Sequence, residues 1–479
     1  MHVPQTDIFK VLNQFNPWWR GLPVGELPDW QRAAYRTLWQ WVSDPPAGRA
    51  VLLSGARQIG KTTLMLQAID GLLKQGTPPA NIIYATFDHP ILKLAGIDSV
   101  LSTWRELVPA AQGKTFLFLD EAQFVPDWGT WIKHQVDFRK DWRIIFTGSV
   151  MPLVSEQQES GVGRWHTIRL STLSFYEYLK IKRIVLPELP KLKSLAQLFT
   201  WDAAQCRQAA ALGQNYLAHY HEYLIRGGFP QTAMIASITQ AQRLLREDII
   251  DKVLKRDITA LFGVRNVLDL ERTFLYLCLH DGGTLDMTAL CENLQVKRPT
   301  AQNYIRYLED AHLIYRLEPY GYGKEVLRGQ SKVYLADAAI APSVMMQGLE
   351  MLENSTALGI ATESAVFRHL FAHYYAQSVR FSYWRGKKEL EVDVLADIAG
   401  QIVPFEIKYR NQNTDVRYLK GLLELCQKKN IARGYVVTKS LDDFGMLAGM
   451  PQGMSTQVFK VPAALLCYWM GAMEVDVTH

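Results

Sequence analysis

GARQIGKT, residues Gly55 to Thr62, stands between the apolar run AVLLS (50–54) and the helical stretch TLMLQAIDGLL (63–73). It fills every position of the pattern GxxxxGK[ST] with Gly55, Gly60, Lys61 and Thr62. A strand is expected before it and a helix after it. Glycines at these points let backbone N–H groups curl around phosphate oxygens, and the helix N-terminus adds the positive end of its dipole. Lys61 is then set to reach the β- and γ-phosphates and Thr62 to hold Mg²⁺. Arg57 and Thr63 complete the nucleotide-binding set of the loop. ATP and Mg²⁺ are the expected cofactors.

Two further runs agree with this reading. TFLFLDEAQ (115–123) is a buried-type strand that ends in two acids. Asp120 is placed to bind the Mg²⁺ of a P-loop site, and Glu121 to polarise the attacking water. WRIIFTGSV (142–150) is another apolar strand ending in small polar residues. Thr147 or Ser149 would sense the γ-phosphate or the water. Strands at 50–54, 82–87, 115–120 and 143–147, with helices between them, predict a parallel α/β sheet.

The chain has 479 residues, which implies two to four domains. A net charge of +5 is compatible with a nucleic-acid partner and equally with ordinary surface charge. The five cysteines, Cys206, Cys278, Cys291, Cys426 and Cys467, are widely spaced and never within CxxC distance. They imply free thiols, without a zinc site or a disulfide framework. The first residues, MHVPQTDIFKVLNQF, lack the apolar core of a signal peptide. VPAALLCYWMGAM (461–473) is shorter than the roughly 20 residues of a membrane span and reads as buried or interfacial. A cytoplasmic protein without a membrane partner is expected.

GARQIGKTTL, FLDEAQ, FTGSV and GRWHTIRLSTLSFYEYL (163–179) together resemble the AAA+ branch of P-loop ATPases found in many bacteria and archaea. FNPWW (15–19) and YLIRGGFPQ (223–231) are similar to it as well, and Ala56 stands where a proline is usual. The resemblance implies a ring-like homo-oligomer and an arginine that completes a neighbour's site; by position after the sensor strand that is Arg164. It implies a helical lid over nucleotide in 176–262. It also implies a nuclease-like domain at the C-terminus. Trp18 and Trp19 are placed either near the adenine or in the core.

Within 246–263 the apolar residues Ile249, Ile250, Val253, Leu254 and Ile258 fall at helical spacing, the mark of a packed helix. Residues 264–325 read as helix, short helix, turn, helix and β-hairpin, the layout of a winged helix-turn-helix. Pro299 suits the first turn of the third helix. Thr300, Gln302, Asn303 and Arg306 on its exposed face, with Lys297 and Arg298 at its start, suit phosphate and base contacts. Such modules also serve protein–protein contacts.

Beyond them, the order α-β-β-β-α-β from 360 onward is similar to the PD-(D/E)XK nuclease superfamily. The resemblance implies the site residues Glu363, Asp393, Glu406 and Lys408. Asp393 and Glu406 on neighbouring strands would converge on one Mg²⁺, and Lys408, two residues on, shares the face of Glu406. Glu391 shares the face of Asp393, and Pro404 marks a strand start or an irregularity. His369 and His373 lie four apart on one helix, as a zinc pair or as packing.

The expected fold class is α/β: a P-loop parallel sheet (1–175), a helical lid (176–262), a winged helix-turn-helix (263–340) and an α/β restriction-endonuclease-like domain (341–479). The expected function is ATP-driven action on duplex or branched DNA, in processing or defence, with Mg²⁺-dependent cleavage as one outcome. The alternative is an ATP-dependent switch whose inactive nuclease-like domain binds a protein partner.

Overall fold

The computed structural model describes residues 3–109, 111–149, 163–321, 329–387 and 390–476. The chain divides into two compact units. The first comprises Met1–Leu170, Arg256–Val264 and Asp310–His312. The second comprises Ser171–Lys255, Arg265–Glu309 and Leu313–His479.

The first unit is built on five parallel strands: β1 (Ala50–Gly55), β2 (Ile82–Thr86), β3 (Thr115–Asp120), β4 (Trp142–Gly148) and β5 (Trp165–Leu170). Their order is β2-β3-β4-β1-β5. In β1 to β4 near-continuous apolar runs make strands buried on both faces, as parallel sheets covered by helices require, while the edge strand β5 is only partly buried. The helices Gln5–Phe15 and Pro90–Leu107 cover one face through Ile8, Val11, Leu12, Val100, Leu101 and Trp104. The four strands read from the sequence are present within a residue or so. β5 lies inside a stretch that the sequence reading left unassigned.

The edge strand β2 is closed by the FNPWW segment. Asn16 mimics a strand residue: its amide oxygen accepts from the Tyr84 N–H at 2.7 Å and its amide nitrogen donates to the Tyr84 carbonyl at 2.8 Å. Trp18 and Trp19 both donate their indole N–H to the Ile82 carbonyl, at 3.1 and 2.9 Å. The two tryptophans therefore follow the core reading. Tying them down blunts an otherwise open sheet edge.

The second unit holds an eight-stranded mixed sheet, β12-β13-β11-β10-β9-β8-β6-β7. Its strands are β6 (Ile314–Pro319), β7 (Lys332–Leu335), β8 (Arg380–Arg385), β9 (Glu391–Ile398), β10 (Gln401–Lys408), β11 (Arg433–Thr438), β12 (Gly445–Met446) and β13 (Gln457–Pro462). The order helix (Ser355–Tyr374), β8, β9, β10, helix (Lys420–Lys429), β11 matches the expected α-β-β-β-α-β. Ala399 and Gly400, both at positive φ, turn β9 into β10, the conformation favoured in two-residue hairpins. Pro404 sits one residue before β10 begins to pair with β11.

Two regions bear on the expected domain bounds. In the stretch 176–262, where the resemblance implies a nucleotide lid, the helices Phe175–Ile181 and Ala203–Arg226 lie in the second unit, built around the apolar helix Ala463–Asp476. Tyr216, Tyr220, Tyr223, Leu465, Trp469 and Met470 are all buried there, and large aromatic surfaces commit these helices to that core. Only Arg256–Val264 joins the P-loop unit. Secondly, three helices (Val267–Leu279, Met287–Leu294, Arg298–Asp310) and the hairpin β6–β7 follow as expected, but this hairpin is no separate module. β6 pairs in parallel with β8 through Glu318–Ser382 and Pro319–Tyr383, so the hairpin extends the C-terminal sheet.

Among the described residues no helix is long and apolar enough to cross a membrane. Cys206, Cys278, Cys426 and Cys467 are buried free thiols, and Cys291 is partly buried. The amphipathic stretch 245–258 is wound largely as π-helix, with Ile249, Ile250, Val253, Leu254 and Ile258 all buried.

Candidate functional site

β1 delivers the P-loop. Gly55 is forced by close approach: a Cβ there would lie 2.5 Å from the Leu170 carbonyl oxygen on β5. Gly60, at φ +98°, makes the left-handed turn into the helix Lys61–Lys74. The Lys61 ammonium, buried, donates to the Gly55 and Ala56 carbonyls at 2.8 and 2.9 Å. Its Nζ lies 4.0 Å from Glu121 Oε1. Burial lowers its pKa, against the pull of Glu121 and Asp120.

β4 lies between β1 and β3, so its end faces both the loop and the acid pair. The Asp120 carboxylate accepts three hydroxyl hydrogen bonds: from Thr62 at 2.7 Å, from Tyr84 at 2.8 Å and from Thr147. Burial and the neighbouring Glu121 raise its pKa, and the three hydroxyls oppose the rise. Thr147 also accepts the Glu121 N–H at 2.8 Å. Ser149 donates to Glu121 Oε2 at 2.9 Å. Gln123 donates to the same carboxylate and to Ser149 Oγ, the latter at 3.1 Å. Both sensor candidates thus hold the acid pair, Thr147 through Asp120 and Ser149 through Glu121.

Thr62 and Asp120 present two oxygens 2.7 Å apart, which fits the oxygen preference of Mg²⁺. The other nucleotide-loop residues are placed differently from one another. Arg57 turns away to Asp257: its Nη1 donates to both carboxylate oxygens, at 3.1 and 3.0 Å, and Asp257 is fully buried. Thr63 lies in the first turn of the helix. Arg164 precedes β5, whose first residue pairs with Ala50, whereas the P-loop follows the far end of β1 at Gly55. It is half-exposed and pairs with Asp137 at 3.3 Å. Arg164 is therefore remote from its own P-loop.

Sequence reasoning missed four residues here: Tyr84, Gln123, Asp257 and His312. His312 sits at positive φ, and its Nε2 is 2.8 Å from Ser54 Oγ directly beneath the loop. Burial, with Arg169 and Lys61 nearby, holds it well below the usual histidine range and so neutral. Gln123 was visible inside DEAQ. Asp257 and His312 come from 200 and 258 residues downstream of their partners and carry no local signal.

In the second unit Glu363, Asp393, Glu406 and Lys408 do converge, with two more groups among them. The Lys332 ammonium, on β7, lies 2.8 Å from Glu391 Oε1, 3.1 Å from Asp393 Oδ1 and 4.0 Å from Glu363 Oε2. Its side chain is 2% exposed. Lys408 pairs with Glu406 Oε1, and the other Asp393 oxygen accepts the Ile407 N–H at 2.8 Å. Burial would lower the Lys332 pKa, but Tyr334 and the carboxylates lift it well above the usual value. Asp393 is held below the usual range because Lys332 and Lys408 outweigh its burial. Burial and Asp393 push Glu406 up to about 8. The carboxylates of Asp393 and Glu406, expected to hold Mg²⁺, are paired with Lys332 and Lys408 in this structure. Among the described residues no three His, Cys, Asp or Glu side chains are arranged to hold a metal ion.

His369 accepts the Phe175 N–H at Nε2, 2.8 Å away, and donates from Nδ1 to Ala365 O at 2.6 Å. Both nitrogens are spent, so the packing reading of the histidine pair applies. On the helix Arg298–Asp310, Gln302, Asn303 and Arg306 are exposed, as are Lys297 and Arg298 at its start, while Thr300 is partly buried.

A model described as an AAA domain matches residues 47–179. Two domains of unknown function match 217–352 (DUF8612) and 358–455 (DUF4143). An uncharacterized protein of Haemophilus influenzae is 28% identical over 384 residues, 76% of this chain and 84% of its own. An uncharacterized protein of Methanocaldococcus jannaschii is 24% identical over 386 residues, 78% of this chain and 79% of its own. AMPPCP-bound DnaA from Aquifex aeolicus overlays 60% of this chain and 90% of its own at 15% identity, with a TM-score of 0.25. Such a likeness is too loose to bear on mechanism. Motif, sheet and family match agree on the class: the first unit is an AAA-type P-loop ATPase domain.

Proposed function

We propose that the protein hydrolyses ATP with Mg²⁺ and uses the cycle to act on DNA. The observation that carries the hydrolytic part is the Thr62–Asp120–Thr147 hydrogen-bonded line, with Lys61 and Glu121 4.0 Å apart beside it. Bound Mg²⁺, held by Thr62 and Asp120, would neutralise charge on the phosphates. Lys61 exchanges its two loop carbonyls for β- and γ-phosphate oxygens. Glu121 accepts the proton of the attacking water, oriented by Ser149 and Gln123. Arg164 acts in trans, because it lies at the wrong end of the sheet for its own loop; hydrolysis then depends on a homo-oligomer. DNA contact falls to Lys297, Arg298, Gln302, Asn303 and Arg306.

The alternative, an ATP-dependent switch whose second unit binds a protein, is favoured by one observation. The carboxylates proposed for cleavage are already paired with Lys332 and Lys408. ATP turnover measured with and without linear, single-stranded and branched DNA separates the two. DNA-stimulated turnover that is lost in Lys61→Ala supports the DNA reading. Turnover indifferent to every DNA, with no DNA retained on a gel, sinks it and favours the switch.

A further inference from the structure

A divalent cation of the Mg²⁺ or Ca²⁺ kind gathers several oxygens at about 2.0–2.6 Å around one point. The second unit gathers carboxylates from three elements, Glu363 on its helix, Glu391 and Asp393 on β9, and Glu406 on β10. A lysine nitrogen sits among them instead. Lys332 Nζ is within 3.1 Å of two of these groups and 4.0 Å from a third. The backbone of Lys332 is tied on both sides, opposite Leu317 on β6 and bridged to Thr284. Its Cα is therefore fixed in the sheet beside the cluster. A divalent ion on Asp393 would meet this ammonium at Oδ1 and the Ile407 N–H at Oδ2, and would stand cation against cation in a poorly solvated place.

We propose that the ammonium of Lys332 is the resident cation of this cluster and takes the place of the divalent metal ion. The cluster has part of its negative charge offset by lysine, is closed to metals, and clamps the β6–β7 hairpin onto the sheet through β9. Residues of the right type at the right strand positions thus serve cohesion rather than hydrolysis. The inference stands apart from the ATPase reading, since it concerns the protein without nucleotide.

The test is Mn²⁺ titration of the nucleotide-free full chain, with free Mn²⁺ read by electron paramagnetic resonance. Every sample carries Asp120→Asn, which removes the P-loop acid from the count. The parent is expected to take up no Mn²⁺ saturably. Lys332→Met should gain one site per chain, and Lys332→Met with Asp393→Asn should lose it again. One saturable Mn²⁺ in the parent that Asp393→Asn removes would overturn the proposal. So would a folded Lys332→Met that binds none. If Lys332→Met fails to fold, Lys332→Gln, neutral but still able to hydrogen-bond the carboxylates, takes its place under the same two criteria.

Discussion

The two units each bury carboxylates beside lysines, yet they arrange them oppositely. In the first unit Asp120 is held by three neutral hydroxyls, from Thr62, Tyr84 and Thr147. Lys61 stays on the loop carbonyls, 4.0 Å from Glu121. In the second unit Asp393 and Glu391 are held by the ammonium of Lys332, and Glu406 by that of Lys408. Hydroxyl donors orient a carboxylate and leave its charge for an incoming cation. An ammonium cancels that charge. On the two proposals above, the same residue types make a binding site in one place and a structural junction in the other, and the donor's charge decides which.

The comparison breaks most sharply at Glu121. Glu121→Gln should lower the ATP turnover rate by about 10²–10⁴-fold, the usual share of general-base catalysis. It should leave nucleotide binding intact, which fluorescent-nucleotide titration checks. Undiminished turnover would remove Glu121 from the mechanism. Lys332→Met should destabilise the fold by about 3 kcal/mol, because it strands the partly buried Asp393 and Glu391 without their counter-charge. Urea unfolding measures this, and a loss below about 1 kcal/mol would mean the ion pairs count for little.

Asp281 sharpens the contrast through pH. Its buried carboxyl accepts the Leu335 N–H and the Ser364 hydroxyl, and burial pushes it up to about 7. The folded state therefore holds this proton more tightly than the unfolded chain. Its contribution to stability is fully present below about pH 4 and is lost as pH rises to about 7. The loss is on the order of 3–4 kcal/mol. Asp281→Asn keeps one acceptor and should flatten this slope in unfolding curves taken between pH 4 and 8. Gly55→Ala should cost about 1–3 kcal/mol as its methyl meets the Leu170 carbonyl, read as a lower melting temperature. Smallest is Arg306→Ala. It should weaken DNA binding by roughly 1 kcal/mol and reduce the salt slope by about one. Binding unchanged across a salt series would move the DNA contact away from this helix.

The local motifs were legible. GARQIGKT, the paired acids of FLDEAQ and the hydroxyls of FTGSV each lie on consecutive residues, where strand alternation and turn chemistry suffice. The sequence also led to the right faces of β9 and β10, since Asp393, Glu406 and Lys408 depend only on alternation within a hairpin. It is silent where helices choose a core. Residues 176–262 have the periodicity of packed helices, but periodicity does not name the surface they pack on.

Short-range backbone geometry is enough to set the P-loop, its acid pair and the strands that carry them, so these are legible along the chain. The partner of each charge depends on the folded chain. Asp257 reaches Arg57 across 200 residues, and Lys332 reaches Glu391 and Asp393 across 59 and 61. An ion pair needs proximity in space, and its strength depends on how far water is excluded; neither is written in spacing along the chain.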